Sequence, residues 1–328
     1  MTQSGSVLLT QEEFAQREPL TTRLHGLVRS YPKGVGLVQE FLQNADDAGA
    51  QSVGIFLDNR TFPSQRLPAP SMSELQGPAL VVTNDARFSD PDWTNIQQIG
   101  ASGKALDTTK TGRFGLGFNC VYNVTDFPTL LTGPRIGIFD PHGHTVLGAS
   151  LERPGNAWRL DSALWSQGPD LLVPFEHYGL PRNASDFPGT AFRLPLRTRA
   201  QADRSEICQQ PFTLEDFDSI VEKLRDRLGD LLLFLRNVQD IDLWSIDTSG
   251  NRRLLLSAHT VNRQTVDDSR KLIRQALETE HESLLTALAD PKTVPFISEY
   301  EHEIDFTDDG GANSRLAYHV VTGSRSVE

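Results

Sequence analysis

The 328-residue chain is poor in cysteine, in positive charge and in long apolar runs, and each shortage excludes something. Two cysteines, Cys120 and Cys208, cannot build a disulfide framework, so a reducing, cytoplasmic compartment is expected. Lysine and arginine total 31 against 43 aspartates and glutamates, a formal net charge of −12. That sign disfavours nucleic acid as a partner. No apolar run approaches the length of a bilayer span, so no membrane partner is expected. The opening MTQSGSVLLTQEEF lacks the basic start and long apolar stretch of a signal peptide. A G-x-S-x-G elbow, a kinase catalytic loop and a metal-ligand cluster are also missing. His142 and His144 form a lone H-x-H that reads as a turn. What remains is 38% apolar and 23% charged, an ordinary globular composition for one large domain or two smaller ones.

The most informative stretch is VGLVQEFLQNADDAGA, from Val35 to Ala50. At roughly 100° per residue it is an amphipathic helix. Leu37, Val38, Phe41, Leu42, Ala45 and Ala48 form the apolar arc. Glu40, Asn44 and Asp47 fall together at one edge, spaced i, i+4 and i+7, poised to look into a cleft. Gln39, Gln43 and Asp46 point elsewhere, toward water. Gly49 closes the helix as a C-cap. An ordinary amphipathic surface helix would read the same way taken alone.

Around it, helices are expected over Thr10–Pro32, from Asp90 through Ile99, over Phe118–Val124, Thr213–Asn237 and Asp267–Asp290. The helix from Thr213 carries a capping box with Asp216. Strands are expected at Ser52–Leu57, Ala79–Thr83, Arg135–Asp140, Thr145–Leu151 and Thr190–Leu196. Hairpins follow at Asp240–Asp247 with Arg253–Val261, and at Ser298–Phe306 with Arg315–Thr322. The proline-rich stretch 58–78 and the segment 152–188 read as irregular. Residues 100–112 are polar and mobile by composition.

The second informative stretch is Gly112-Arg113-Phe114-Gly115-Leu116-Gly117-Phe118, glycines leading into a helix. Backbone N–H groups unshielded by side chains, at the positive end of a helix, make a phosphate cradle. It is not a Walker A loop, because Gly103-Lys104 is followed by Ala105. Nor is it the Rossmann fingerprint, since no strand precedes it.

Taken in order, these elements resemble the N-terminal ATPase domain of the GHKL superfamily, which includes gyrase, the heat shock protein 90 family, histidine kinases and MutL. EFLQNADDA at 40–48 resembles its E-x-x-x-N-x-x-D-A box. GRFGLGF at 112–118 resembles its second glycine box, and Gly189-Thr190 the threonine that completes the adenine pocket. A closer resemblance is to sacsin and sacsin-like repeats. It is carried by FAQREPLTTR at 14–23, YPKG at 31–34, QNADDAGA at 43–50, DPDW at 90–93, SGK at 102–104 and the glycine box. VYNVTD at 121–126, FDPH at 139–142 and LLLFLRNV at 231–238 extend it.

The resemblance implies an α/β two-layer sandwich of the Bergerat type, a mixed sheet with helices on one face. Residues 1–200 would be the ATP-binding domain and 201–328 an α+β sacsin-repeat continuation. Glu40 would be the general base for the attacking water, and Asn44 would ligate Mg²⁺. Asp47 would hold the helix edge and bound water near the nucleotide. Gly112, Gly115, Gly117 and Phe118 would offer N–H groups to the phosphates. Thr190 would bind the adenine edge. Ser102 to Thr111 would be the ATP lid, with Lys104 and Arg113 as phosphate partners or solvated lid charges. ATP, ADP and Mg²⁺ are the implied ligands, and protein clients or other domains of a larger chain the implied partners.

One departure stands out. The superfamily's first glycine box, D-x-G-x-G, is here TNDARF at 83–88, with both glycines missing. Thr83, Asn84 or Asp85 could stand where the adenine-reading aspartate belongs, depending on alignment. Two functions therefore compete: an ATP-binding, chaperone-like module with weak Mg²⁺-dependent hydrolysis, and a degenerate structural or protein-interaction module that keeps the fold without turnover. A DNA-acting relative is disfavoured by the acidic charge.

Overall fold

The computed structural model of the chain describes residues 18–30, 33–99, 117–271 and 297–323. The helices are α1 (Leu20–Ser30), α2 (Val35–Asp47), α3 (Asp90–Asn95), α4 (Ser162–Gln167), α5 (Val173–Glu176), α6 (Arg199–Ala202), α7 (Leu214–Arg225) and α8 (Leu228–Phe234). Residues 263–271 are also helical. The strands are β1 (Ser52–Asp58), β2 (Ala79–Asn84), β3 (Thr129–Gly133), β4 (Arg135–Phe139), β5 (Gly155–Arg159) and β6 (Phe187–Pro195). After α8 come β7 (Asp240–Ile246), β8 (Arg252–Thr260), β9 (Ile297–Asp308) and β10 (Asn313–Gly323).

All ten strands join one mixed sheet in the order β10-β9-β8-β7-β1-β2-β6-β3-β4-β5. β1 is the pivot: it pairs antiparallel with β2 and parallel with β7. The strands beyond residue 200 thus extend the same sheet as β1. Side chains alternate across it. Val53, Ile55 and Leu57 of β1, with Leu80 and Val82 of β2, meet Leu37, Phe41 and Leu42 of α2 and Phe217, Ile220 and Leu224 of α7 in the main core. This is the expected α/β arrangement, a sheet layered with long helices. The opposite face is covered under β3 and β4 by a second core built from Met72, Leu75, Leu164, Leu171 and Phe175. Those come from the 3-10 turn Pro70–Gln76 and from α4, α5 and their connections.

α2 forms where the apolar period required it, and Gly49 (φ +82°) ends it as the sequence implied. Ala50 N–H donates to Ala45 O at 3.0 Å and Gly49 N–H to Asp46 O at 2.9 Å, a Schellman closure. The Thr213–Asp216 capping box is present.

Three expectations need correction. Residues 145–151 are a loop, not a strand: the Asp140 carboxylate accepts from the N–H groups of Gly143, Thr145 and Val146 and folds the chain around itself. The long helix expected to Asn237 breaks after Arg225, and α8 turns so that Gly229 meets Leu316 and Tyr318 of β10. The helix expected at Phe118–Val124 is present, as a 3-10 helix over Gly117–Asn123. The supposedly irregular 152–188 holds β5, α4 and α5. Residues 1–17 and 272–296, including much of two expected helices, lie outside the described residues.

Candidate functional site

Glu40 and Gly117 meet. A Cβ built on Gly117 would sit 1.8 Å from Glu40 Oε2 and 2.3 Å from its Cδ. The acidic edge of α2 and the end of the glycine box, more than seventy residues apart in sequence, therefore share one place. A larger residue there would push the carboxylate out of this position. Asn44 and Asp47 are half-buried on the same helix edge. Ser102, Lys104, Gly112, Arg113 and Gly115 lie outside the described residues, as does the expected lid.

The 117–123 turn is anchored on both sides. Phe118 packs its ring on Phe192 (5.7 Å) and Phe139 (5.9 Å), while Phe192 also touches Phe41 of α2 (5.2 Å). Behind it, Arg197 is fully buried and donates to Asp126 Oδ1 at 2.6 Å and to Tyr122 O at 2.7 Å. Arg197 Nε and Ser205 Oγ also donate to the same carboxylate oxygen, each at 3.1 Å. Cys120 is buried, and burial followed by the Glu40 charge pushes its thiol pKa far up. It is a packed, neutral thiol.

The sheet separates the three adenine-reading candidates. Leu80 and Val82 face the helices while Ala79 and Val81 face away, so Asn84 faces the helices and Thr83 does not. Thr83 Oγ1 instead lies 2.9 Å from a Cβ built on Gly54, on the side of Phe56. Asp85 Oδ1 accepts from the N–H groups of Gln51 (2.8 Å) and Ser52 (3.2 Å), which ties it to the start of β1. Asn84 stands directly across from Thr190, and Thr190 across from Thr132. The three form a polar row on the helix-facing side. Thr190, 1% exposed, donates to Ala86 O at 2.8 Å, and its hydroxyl lies 3.0 Å from that of Thr132. Asn84 Oδ1 accepts from Ala86 N–H at 3.0 Å, leaving its amide NH₂ and second lone pair for other partners. Gly189 must be glycine, since a Cβ would fall 2.3 Å from Asn84 O.

One prominent residue was misplaced by sequence reasoning. Asp46, expected to face water, is 4% exposed, and its carboxylate takes three backbone N–H groups from residues 236–238. Its one sequence signal was the LLLFLRNV stretch at 231–238, which carries part of the sacsin-like resemblance. His142 Nε2 accepts from Glu206 N–H at 3.1 Å, a loop contact that fits its reading as part of a turn. Among the described residues no cluster of metal-ligating side chains occurs, and no helix is long and apolar enough to cross a membrane.

Comparison with known proteins gives the family of the chain. The family model of the Sacsin domain matches residues 17–257. Human sacsin is 38% identical over 243 residues, which cover 72% of this chain and 5% of that much longer protein.

Proposed function

Since the chain belongs to the Sacsin domain family, we propose that it is an ATP-binding, chaperone-like module of the GHKL kind, with weak Mg²⁺-dependent hydrolysis. The observation that carries this reading is the Glu40 carboxylate against Gly117. A cradle that a single methyl group would fill brings an acid to the edge of a glycine-rich turn.

In this reading Glu40 accepts a proton from the attacking water. Asn44 supplies one neutral oxygen to Mg²⁺, which suits an ion that keeps most of its waters. Bound there, the metal would neutralise phosphate charge. Asp47 holds the water network at the helix edge. Gly117 and Phe118, with Gly112 and Gly115, offer N–H groups to phosphate oxygens, and Lys104 and Arg113 add charge from the lid. Asn84 and Thr190 take the adenine edge from the polar row beside them. Asn84 lacks the charge of the superfamily's aspartate, so weak affinity is expected.

A second reading has its own support. Asp85, the one carboxylate in TNDARF, is spent on the N–H groups of Gln51 and Ser52. A module that had given up nucleotide and kept its fold for protein interaction could use it so. Calorimetric titration with ATP·Mg²⁺ and ADP separates the two: saturable heat supports the first, none supports the second. Clients or neighbouring domains of a longer cytoplasmic chain are the proposed partners in both cases.

A further inference from the structure

Asp46 is the carboxylate of α2 that the proposed nucleotide chemistry does not use. Its Oδ1 accepts from the N–H groups of Arg236 (2.8 Å), Asn237 (2.7 Å) and Val238 (3.1 Å). Asn237 Nδ2 in turn donates to Asp46 O at 2.8 Å. A carboxylate in the last turn of a helix faces the negative end of the macrodipole, which opposes it. Three consecutive N–H groups converging on it make the anion nest that offsets this.

The same short joint is gripped from its other side. Arg270, 5% exposed, donates to Leu232 O at 3.3 Å and Val238 O at 3.4 Å. A carboxylate holds the joint's N–H groups, and a guanidinium bridges the Val238 carbonyl in the joint to the Leu232 carbonyl in α8. Directly after it, Gln239 and Asp240 N–H both reach Gln51 O, beside β1. The chain enters β7 through this joint, and β8, β9 and β10 follow.

We propose that Asp46 couples the nucleotide edge of α2 to the α8–β7 joint, so that occupancy at Glu40, Asn44 and Asp47 is conveyed to the strands beyond it. The coupling rests on the nucleotide reading above; the clamp itself does not. The two states are a joint with Asp46 seated and a joint with it released. Asn44 and Asp47 lie within one helical turn of Asp46 on a neighbouring edge. A ligand that fixes them fixes the last turn of α2, and with it the carboxylate. By reciprocity, a seated Asp46 favours the ligand.

Amide hydrogen exchange at residues 236–238, measured on the full chain with and without ATP·Mg²⁺, tests this. Without nucleotide, Asp46→Ala speeds exchange there on the order of tenfold or more, because three N–H groups lose a charged acceptor. Asp46→Asn, which keeps one side-chain oxygen, falls between, and amides of β2 do not change. With ATP·Mg²⁺, the wild type slows further at 236–238, while Asp46→Ala still binds but no longer responds there. Should Asp46→Ala not fold, Asp46→Asn carries both arms with a smaller response. Unchanged nucleotide-free exchange in the variant overturns the clamp. A nucleotide response of equal size in wild type and variant, or none in a wild type that binds, overturns the coupling. A wild type that binds no ATP·Mg²⁺ overturns the nucleotide reading and the coupling with it, while the nucleotide-free arm still decides the clamp.

Discussion

Glu40 reaches across from α2 to rest on the bare Cα of Gly117, so close that a methyl group there would stand 1.8 Å from its carboxylate oxygen. The obstruction would be the far end of a flexible side chain, which can swing aside. Gly117→Ala is therefore expected to leave the melting temperature within about 2 °C of wild type, yet to displace the base and lower phosphate release by at least about tenfold. A matched thermal melt and phosphate-release assay checks both halves. A large loss of stability with normal turnover would show that the contact is packing alone.

Asn84 and Asp85 are neighbours with opposite tasks. Asn84→Ala should weaken ATP·Mg²⁺ by about 1–3 kcal/mol, because the adenine edge loses its partner, with little change in folding. Asp85→Ala should leave affinity intact and cost about 1 kcal/mol of stability, since exposed N–H groups of Gln51 and Ser52 can turn to water. Calorimetry and urea unfolding on the two variants separate the roles, and the reverse pattern would assign adenine to Asp85.

The Arg197–Asp126 pair behind the 117–123 turn is the costliest polar contact to break. Arg197 has no exposed side-chain area, so Asp126→Ala leaves a buried, unpaired cation and is expected to destabilise by about 3–5 kcal/mol. Urea unfolding measures it. A loss under about 1 kcal/mol would mean that the carbonyl of Tyr122, with that of Asn123 at 3.3 Å from Arg197 Nη1, satisfies the guanidinium unaided.

His259 gives the fold an alkaline limit. Its Nδ1 lies 2.7 Å from Asp240 and its Nε2 3.1 Å from Asp242, and these bonds raise its pKa from 6.5 to about 9. A group raised in this way contributes fully below its unfolded pKa, and the contribution is lost as pH climbs through the folded one. Stability should fall between pH 6.5 and about 9, and His259→Gln should flatten that slope. Urea midpoints across the range test it; a slope unchanged in the variant would rule His259 out as its source.

What could be read from sequence was local. The α2 period, Gly49 and the Thr213–Asp216 box each depend on residues a few positions apart, and each is found. β3 was missed because TLLTG is buried at every position, so the two-residue alternation is absent. The false strand at 145–151 borrowed its alternation from a loop that Asp140 organises. Asp46 shows the deeper limit. A helical wheel places it away from the core of its own helix, but cannot know that residues 236–238 arrive there. For the site, Glu40, Asn44 and Asp47 could be grouped from spacing. That Thr83, Asn84 and Asp85 part to different surroundings could not be read without the β2–β6 register and the bonds of Asp85 to β1.

The central claim is that Glu40 acts on water at a nucleotide site formed by α2 and the glycine turn. Phosphate release at saturating ATP·Mg²⁺, compared between wild type and Glu40→Ala with binding confirmed by calorimetry, tests it most directly. The account predicts slow release by the wild type and none above background in the variant, which still binds ATP. Release unchanged by Glu40→Ala, or a wild type with neither heat nor turnover, would contradict it.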